Sequence, residues 1–486
     1  MYSLVMLLVF LVVMVSVGVW GMKKTTTLND FFLGGRSLGP WISAFAYGTT
    51  YFSAVIFIGF AGNQGWNFGL NVLWIGVGNA LLGALLAWIV LGKRTRRMTQ
   101  KLDVMTMPEF LEARYGSDHL KMISAVLIFI FLLPYSASVF KGLGHLFEST
   151  FGISYDFALI VLVGITGIYL VLGGYFAVTL TDFIQGFIML IGAVTMVVLL
   201  IIKAGGPVEA ITTVAKNYSE HIPIGNRPSF LTIASLVFMT SFGTWGLPQM
   251  VQKFYSIRDE KLIPKAALIT TVFALVIGVC AYFTGMLSHV FFDLTTIPRL
   301  ASGAVNYDLI VPTLLTNHLP EALMALIMLL VLSASMSTLA SMILVSSSAI
   351  TIDLYKGYLH PDVSDKTSLL LMRILSAVFI LCSYAISRMN IGFIVTLMSL
   401  SWGVLSGAFM APYILGIYWK KVTKAGAYAG FFTGSSTAII LFFVLGPSRS
   451  PLASSIAMIV PFIVVPLVSF LSPKMNPTIV SRAFGD

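Results

Sequence analysis

Hydroxyl side chains are crowded into an apolar stretch whose composition otherwise predicts a membrane helix. Residues 330–359 read LVLSASMSTLASMILVSSSAITIDLYKGYL. Ser337 and Ser341 are one helical turn apart, and Thr338 and Ser341 share nearly the same helical face as Ala334. Hard cations such as Na⁺ prefer several oxygen ligands. Neighbouring hydroxyls, together with carbonyls freed from a broken helix, would supply such ligands, so this pattern indicates a cation site.

The other serines of this stretch have a simpler explanation. Ser333, Ser335 and Ser346–Ser348 can bond to a carbonyl of their own helix or to a neighbouring helix, as hydroxyls in membrane helices commonly do. We expect these side chains to pack rather than to bind an ion.

Two further segments predict broken helices that could supply the carbonyls. Phe45–Ala54 (FAYGTTYFSA) and Ser241–Met250 (SFGTWGLPQM) each place glycine and polar residues in the middle of an apolar window. The two segments belong to well-separated spans that cross in opposite directions. Such paired interruptions in inverted halves are typical of the central site of a transporter. Ordinary packing glycines and a proline kink are the alternative explanation.

The space between these two segments is the predicted substrate pocket. Its candidate residues are Tyr51, Ser53, Asn63, Gln64 and Trp66 on one side, Thr244, Trp245 and Gln249 on the other, and Ser401 and Trp402 as a gate. The aromatic members could equally be core or interfacial residues.

Two charged residues fall inside predicted spans. Asp182 is the only carboxylate that we place well within one, and an intramembrane acid is a functional candidate because its burial is costly. A position at the cytoplasmic interface is the alternative. Lys141, with His145 one turn away, lies in the outer half of its span. Its ammonium could pair with a substrate carboxylate, or its aliphatic stem could carry the charge to the interface.

The composition predicts a polytopic membrane protein. Of the 486 residues, 58% are hydrophobic and 10% are charged, whereas a soluble domain has about 25% charged residues. The net charge of +10 is explained by basic cytoplasmic loops, so no nucleic-acid partner is implied. The two cysteines lie in apolar runs and indicate neither a disulfide framework nor a zinc site. A channel would need a filter and an enzyme would need clustered catalytic groups, and the sequence suggests neither.

Windows of roughly 20 apolar residues predict about thirteen spans, among them 156–173 and 178–203. Basic residues recur in every second loop: Lys23, Lys24 and Arg36; Lys93, Arg94, Arg96, Arg97 and Lys101; Lys253, Arg258, Lys261 and Lys265; Lys356 and Lys366; Lys420, Lys421 and Lys424. By the positive-inside rule these loops are cytoplasmic. We therefore predict a multi-pass protein of the cell (inner or plasma) membrane with its N-terminus outside and its C-terminus in the cytoplasm.

Four segments in order along the chain resemble the sodium:solute symporter family. They are NDFFLGGRSLGPW at 29–41, LGGYFAVTLTDFIQG at 172–186, SMSTLAS at 335–341 and LGIYWKKVTKAGAYAGFFTG at 415–434. The resemblance implies an all-α, leucine-transporter-like fold with an inverted five-helix repeat and one extra N-terminal helix. The whole chain, 1–486, would form one transporter domain. Its parts would be a leading helix (3–22), a first core repeat (38–204), a second core repeat (231–416) and two C-terminal helices (424–473).

The resemblance also implies how ions would bind. The main sodium site would use the carbonyls of Thr49, Phe52 and Ala334 and the hydroxyls of Ser337 and Thr338. Some family members, such as sodium/sialic acid symporters, bind a second sodium with an aspartate in the segment that holds Asp182, beside a Ser-Ser-x-Ser-Ser pattern. Here the pattern over 337–341 is Ser-Thr-Leu-Ala-Ser, which lacks one hydroxyl. Asp182 and Ser341 are therefore either a second sodium site or a proton site.

The function implied is secondary-active import of a small organic solute coupled to Na⁺. Sodium/proline members carry an aspartate where this chain has Tyr51, which favours a carboxylate such as pantothenate or a monocarboxylate. The alternatives are a sodium-coupled amino-acid (proline-like) or sugar symporter, or a proton-coupled transporter of the same fold. The expected partners are the solute and the lipid bilayer, with no obligate protein partner.

Overall fold

The computed structural model of the protein describes the backbone of residues 2–24, 33–389 and 391–485. It describes their side chains apart from those of residues 2–4, 18, 21–24, 165–166 and 168–177. Residues 29–32 of the first family-like segment lie outside this description. So do the side chains of 172–177 in the second.

Helices make up nearly all of the described chain, which confirms the predicted all-α class. The α-helices are α1 Tyr2–Lys24, α2 Pro40–Tyr51, α3 Ala61–Phe68, α4 Leu73–Gly78, α5 Lys93–Leu102, α6 Met107–Tyr115, α7 Asp118–Phe151, α8 Tyr155–Lys203, α9 Pro207–His221, α10 Phe230–Gly246, α11 Pro248–Ser256, α12 Ile263–Met286, α13 Ser288–Phe291, α14 Tyr307–His318, α15 Glu321–Ser348, α16 Asp365–Arg388, α17 Ile394–Tyr418, α18 Lys424–Leu445, α19 Ser450–Leu471 and α20 Pro477–Phe484. Wider, π-type turns occupy Val55–Phe60, Asn79–Leu86, Trp88–Gly92 and Ala349–Leu359.

Ten helices among the described residues are long and apolar enough to cross a bilayer. Shorter apolar helices cover Val5–Val17 and Tyr155–Gly164. The predicted spans 156–173 and 178–203 both fall within the single helix α8. The fold is therefore that of a multi-pass membrane protein, while the number of thirteen spans stays a prediction.

Both predicted helix interruptions are confirmed. Helix α2 ends at Tyr51, because Phe52 adopts an extended conformation (φ −111°, ψ 130°) before helical structure resumes at Val55. Helix α10 ends at Gly246, and Leu247 is extended (φ −77°, ψ 122°) before α11. Helix α11 then begins at Pro248, a residue suited to a first helical position because it has no N–H to leave unpaired. Each break exposes backbone carbonyls inside the bundle, where lipid could not satisfy them.

The hydroxyl-rich helix α15 lies at the centre of the bundle. Helix α15 and the π-type turns after it form the segment Glu321–Leu359. In the most apolar 18-residue part of this segment 83% of residues are buried, against 28% for the corresponding part of α16. Helix α15 packs against α1, α2, α7 and α8. The hydroxyls of α15 therefore face protein rather than lipid.

The two broken helices are joined at one end of the bundle. Leu38, just before α2, forms a parallel bridge with Ile257, just after α11. The amide of Leu38 donates to the Ser256 carbonyl at 3.3 Å, and the amide of Arg258 donates to the Leu38 carbonyl at 3.0 Å. This end carries the basic segment around Arg96 and is called the basic end below.

Candidate functional site

The Thr338 hydroxyl lies among four backbone carbonyl oxygens. Its Oγ1 is 3.4 Å from the carbonyl oxygen of Thr49, 3.1 Å from that of Thr50, 3.4 Å from that of Phe52 and 3.1 Å from that of Ala334. Three of these carbonyls belong to the broken end of α2, and the fourth is one turn earlier in α15. One hydroxyl proton cannot satisfy four acceptors, so this cluster is rich in electron pairs.

The Ser337 hydroxyl completes the same cluster. It donates to Thr49 Oγ1 at 2.8 Å. The five residues predicted to surround sodium, which are Thr49, Phe52, Ala334, Ser337 and Thr338, are thus brought together, with Thr50 as an additional member. All six are buried. A compact set of uncharged oxygens is the environment that a hard monovalent cation requires.

Two of the other serines of α15 bond to carbonyls of their own helix, as expected, whereas the buried hydroxyls of Ser333 and Ser346 have no hydrogen-bond partner in the described part of the chain. The Ser347 hydroxyl donates to Ile343 O at 2.7 Å, and Ser348 donates to Val345 O at 2.9 Å. Ser335 has a second task, because its Oγ accepts the amide of Ala54 at 3.0 Å. That amide begins the helical segment after the break in α2, so Ser335 stabilises the interruption.

A buried ionic cluster adjoins the carbonyl-rich one. Lys253 Nζ on α11 is 3.5 Å from Asp182 Oδ2 on α8 and 3.0 Å from Ser341 Oγ on α15. Ser341 Oγ is in turn 3.0 Å from Thr50 Oγ1 on α2. The side chains of Lys253 and Asp182 are 1% and 0% exposed.

The assignment of Lys253 to a basic cytoplasmic loop is wrong. A lysine followed by further basic residues is typical of such a loop, but α11 carries this one back into the bundle. Asp182 is buried as predicted. Its partner, the Lys253 ammonium, was not identified from the sequence. The signal in the sequence was the apolar residues on both sides of Lys253, which are Met250, Val251, Phe254 and Tyr255 and are all buried.

A small central cavity lies beside the break in α2. Its volume is about 20 Å³. Three predicted substrate residues, Tyr51, Ser53 and Trp402, line it. The other lining residues were not predicted to bind substrate, although Phe52 was predicted to bind sodium. They are Phe52, Val55, Ile56, Phe60, Asn79, Tyr135, Thr240, Tyr282 and Met398.

Aromatic rings form much of the cavity wall. Tyr51 stacks on Phe52 at a centroid distance of 4.5 Å, and Trp402 meets Tyr135 edge-on at 5.7 Å. The Tyr51 hydroxyl donates to Thr240 O at 2.6 Å, which fixes this ring against α10. None of the residues lining this cavity carries a charged side chain.

A wider vestibule of about 820 Å³ lies away from the basic end. It is lined in part by Asn63, Gln64, Tyr307, Phe393 and Arg449. Gln64 therefore lies in this vestibule and not beside Tyr51 in the central cavity. The vestibule is large enough to admit a small organic solute.

Lys141 is already paired within the protein. Its Nζ is 2.9 Å from Asp308 Oδ2 and donates to Gly392 O at 2.6 Å. The Asp308 carboxylate also accepts a hydrogen bond from the amide of Ile394, in the first turn of α17. The amide nitrogen is 3.4 Å from Oδ1 and 3.3 Å from Oδ2. The side chains of Lys141 and Asp308 are 5% and 1% exposed. The geometry thus gives Lys141 a structural partner in place of the expected substrate carboxylate.

Three other predicted substrate residues surround the second break but do not line the central cavity. Thr244 Oγ1 donates to Ser241 O at 2.9 Å, and Trp245 Nε1 donates to Leu82 O at 3.1 Å. Gln249 is buried at the start of α11, and its Oε1 has no hydrogen-bond partner in the described part of the chain.

The profile of the Sodium:solute symporter family matches residues 31–434. The chain belongs to the sodium:solute symporter family. It is thus a sodium-coupled solute symporter with Na⁺ as the coupling ion, and the prediction of a transporter rather than an enzyme is confirmed.

Relatives of this symporter cover most of its length. A sodium/proline symporter 2 from Staphylococcus saprophyticus is 30% identical over 92% of this chain and 87% of its own. The osmoregulated proline transporter OpuE from Bacillus subtilis is 30% identical over 89% of this chain and 87% of its own. A sodium/proline symporter from Staphylococcus aureus is 31% identical over 90% and 85% of the two chains.

Solved structures confirm the leucine-transporter-like fold of this symporter. A Na⁺-coupled sialic acid symporter in a substrate-bound outward-open state superimposes with a TM-score of 0.80 at 18% identity, over 98% of both chains. Mhp1, a nucleobase-cation-symport-1 family transporter, gives a TM-score of 0.56 at 14% identity over 95% of this chain and 99% of its own.

Proposed function

We propose that this symporter imports a small zwitterionic amino acid of the proline type together with Na⁺. The sequence favoured pantothenate or a monocarboxylate over this alternative. The names of the Staphylococcus and Bacillus relatives now support the amino acid instead. Tyr51, which was the reason to doubt proline, is held by its bond to Thr240 O and forms part of the cavity wall.

The observation that carries this proposal is the lack of charged side chains around the central cavity. A net anion placed there would have no cationic side chain as a partner, and an uncompensated charge in a buried site is costly. An amino acid is neutral overall, and its ring or side chain can pack on aromatic walls such as Tyr51, Tyr135 and Trp402. Lys141, the cation that we expected to receive a carboxylate, is neutralised by Asp308.

We further propose that Na⁺ binds within the oxygen cluster of Thr49, Phe52, Ala334, Ser337 and Thr338. Phe52 connects this site to the substrate, because its carbonyl belongs to the cluster and its residue also lines the cavity. An ion here would hold the broken end of α2 against α15. Sodium would therefore favour the conformation that binds substrate, which is the differential affinity that coupling requires.

We propose that the basic end faces the cytoplasm, which the positive-inside rule supports. The vestibule would then open outward. In this arrangement solute enters past Gln64 and reaches the cavity beside Tyr51, whose volume of about 20 Å³ in this conformation must increase to hold it. It leaves towards the basic end once the bonds between Leu38 and Ser256 open.

Uptake into proteoliposomes tests the substrate. An inward sodium gradient would drive labelled L-proline in the presence of unlabelled competitors: pantothenate, acetate, lactate, pyruvate, glucose and further amino acids. We expect small amino acids to compete, because they are neutral overall and share the amino-acid backbone of proline, and we expect the carboxylate anions and glucose not to compete. Inhibition of proline uptake by a carboxylate anion, or an absence of proline uptake under the sodium gradient, would contradict the proposal.

A further inference from the structure

We propose that the Lys253 ammonium is the resident cation of a second ion site, so that the symporter carries one sodium ion per solute. This inference rests on the proposed sodium-coupled transport and goes beyond it by fixing the number of ions. It answers the question that Asp182 raises, namely whether this acid binds a second sodium or a proton.

The groups around Lys253 Nζ are those that a second sodium would need. Asp182 Oδ2 lies 3.5 Å away and Ser341 Oγ lies 3.0 Å away. Ser337 lies beside the Asp182 carboxylate, and Thr50 Oγ1 is 3.0 Å from Ser341 Oγ. One carboxylate and one hydroxyl contact the Lys253 ammonium directly, and the hydroxyls of Ser337 and Thr50 adjoin those two groups. The position that a second cation would take is therefore occupied by a cation of the protein itself.

A second sodium cannot share this site with the ammonium. Both charges would lie within a few ångströms of each other in a region from which water is excluded, where repulsion between like charges is strong. The ammonium also neutralises Asp182, which would otherwise be an unpaired charge in the bundle interior. Lys253 thus supplies the positive charge of a second ion without that ion being transported.

The position of Lys253 in the fold gives the fixed cation a second effect. Lys253 is on α11, the second half of one broken helix, whereas Thr50 is in the last turn of α2, the first half of the other. Thr50 contributes its carbonyl to the sodium cluster and its hydroxyl to Ser341. In this conformation the ion pair therefore links α11 to the side of the sodium cluster without a second ion.

The functional consequence is a limit on accumulation. With one sodium per neutral solute, the solute gradient can reach at most the first power of the sodium gradient multiplied by the contribution of one charge crossing the membrane potential. A transporter that carries two sodium ions could reach the square of the sodium gradient multiplied by the square of the contribution of one charge. This difference is large enough to measure.

The test compares the flux of ²²Na⁺ with that of labelled proline in proteoliposomes. For the unmodified protein we expect a flux ratio of one and a Hill coefficient for sodium close to one. A ratio of two would overturn the proposal while leaving sodium-coupled transport intact. Uptake that ignores sodium would instead overturn the proposed function itself.

Variants test the assigned residue. Lys253→Met releases Asp182 and Ser341, so we expect the Hill coefficient and the flux ratio to rise towards two. Lys253→Met combined with Asp182→Asn removes the vacated carboxylate, and both values should return to one. Lys265→Met, which changes an exposed lysine on α12, should leave them at one.

A folded Lys253→Met protein that keeps a ratio of one would overturn the assignment of Lys253 to an ion site. If Lys253→Met does not fold, the flux ratio of the unmodified protein still decides between one ion and two. The double variant, which buries no unpaired charge, would then show whether transport survives without the ion pair. Survival with a ratio of one supports the proposal, and a ratio of two contradicts it.

Discussion

At the scale of single residues, a substitution at Thr338 tests the proposal that the oxygen cluster binds sodium. Its hydroxyl is surrounded by carbonyls from Thr49, Thr50, Phe52 and Ala334. Thr338→Val keeps the shape and removes the oxygen. Loss of one bond to a charged group costs about 1.5–3 kcal/mol, so the sodium concentration for half-maximal uptake should rise about tenfold or more.

The control for this variant is Ser347→Ala on the same helix. The Ser347 hydroxyl bonds only to carbonyls of its own helix in the described structure, so the sodium dependence should not change. An unchanged sodium dependence in Thr338→Val, with uptake still driven by sodium, would place the ion elsewhere.

Lys141 and Asp308 should act as a structural pair. Lys141→Met leaves a buried carboxylate without its partner, and breaking such a pair costs about 3–5 kcal/mol. Thermal unfolding in detergent should therefore occur at a much lower temperature in this variant. Lys141→Met combined with Asp308→Asn should recover most of the loss, as a double-mutant cycle would show.

The same double variant tests whether Lys141 receives the substrate. If the pair is only structural, the variant should bind proline with nearly normal affinity. A loss of substrate affinity that persists after stability is restored would return Lys141 to the substrate site.

Individual residues differ in how far sequence alone could predict them. Ser337 and Thr338 could be found, because helical spacing places them together on one element. The partner of Lys141 could not be found, because Asp308 lies in the first turn of α14, far from Lys141 in the chain, and meets it only through tertiary packing. Lys253 was assigned to a loop because further basic residues follow it at Arg258, Lys261 and Lys265, a pattern typical of a cytoplasmic loop.

At the scale of elements, close contact between α3 and α12 depends on glycine. A Cβ added to Gly285 would overlap the backbone of Ala61, and one added to Gly65 would overlap Gly285. Small residues let membrane helices approach closely. Gly285→Ala should therefore separate these helices and lower the free energy of unfolding by about 1–3 kcal/mol.

Gly39→Ala is the matched control for this prediction. Gly39 precedes α2, has an ordinary φ of −76° and has open space around its missing Cβ. Thermal unfolding of both variants measures the difference. Equal melting temperatures would show that the close α3–α12 contact does not require glycine at position 285.

The helix breaks were the elements most open to prediction. Glycine and polar residues before Phe52, and the Gly-Leu-Pro sequence at 246–248, mark positions where a helix ends or resumes. The number of spans was harder, because α8 runs without interruption through two predicted windows. Hydropathy reports apolar length and contains no information on where the chain turns.

At the scale of the whole molecule, the charge pattern predicts which end faces the cytoplasm. Cys280 and Cys382, the two natural cysteines, would first be replaced by alanine. A single cysteine at exposed Ser448, beside the vestibule, should then react with a membrane-impermeant maleimide added outside intact cells. A cysteine at exposed Lys421 should react only after the cells are opened. The reverse labelling pattern would invert the orientation.

Coupling of solute to sodium is the central claim about the whole molecule. It is tested most directly by accumulation of labelled proline in proteoliposomes under an imposed inward gradient of either sodium or protons. We expect proline to rise above its external concentration with the sodium gradient, to equilibrate without one, and to ignore the proton gradient. Accumulation that follows protons and is unaffected by sodium would contradict the account.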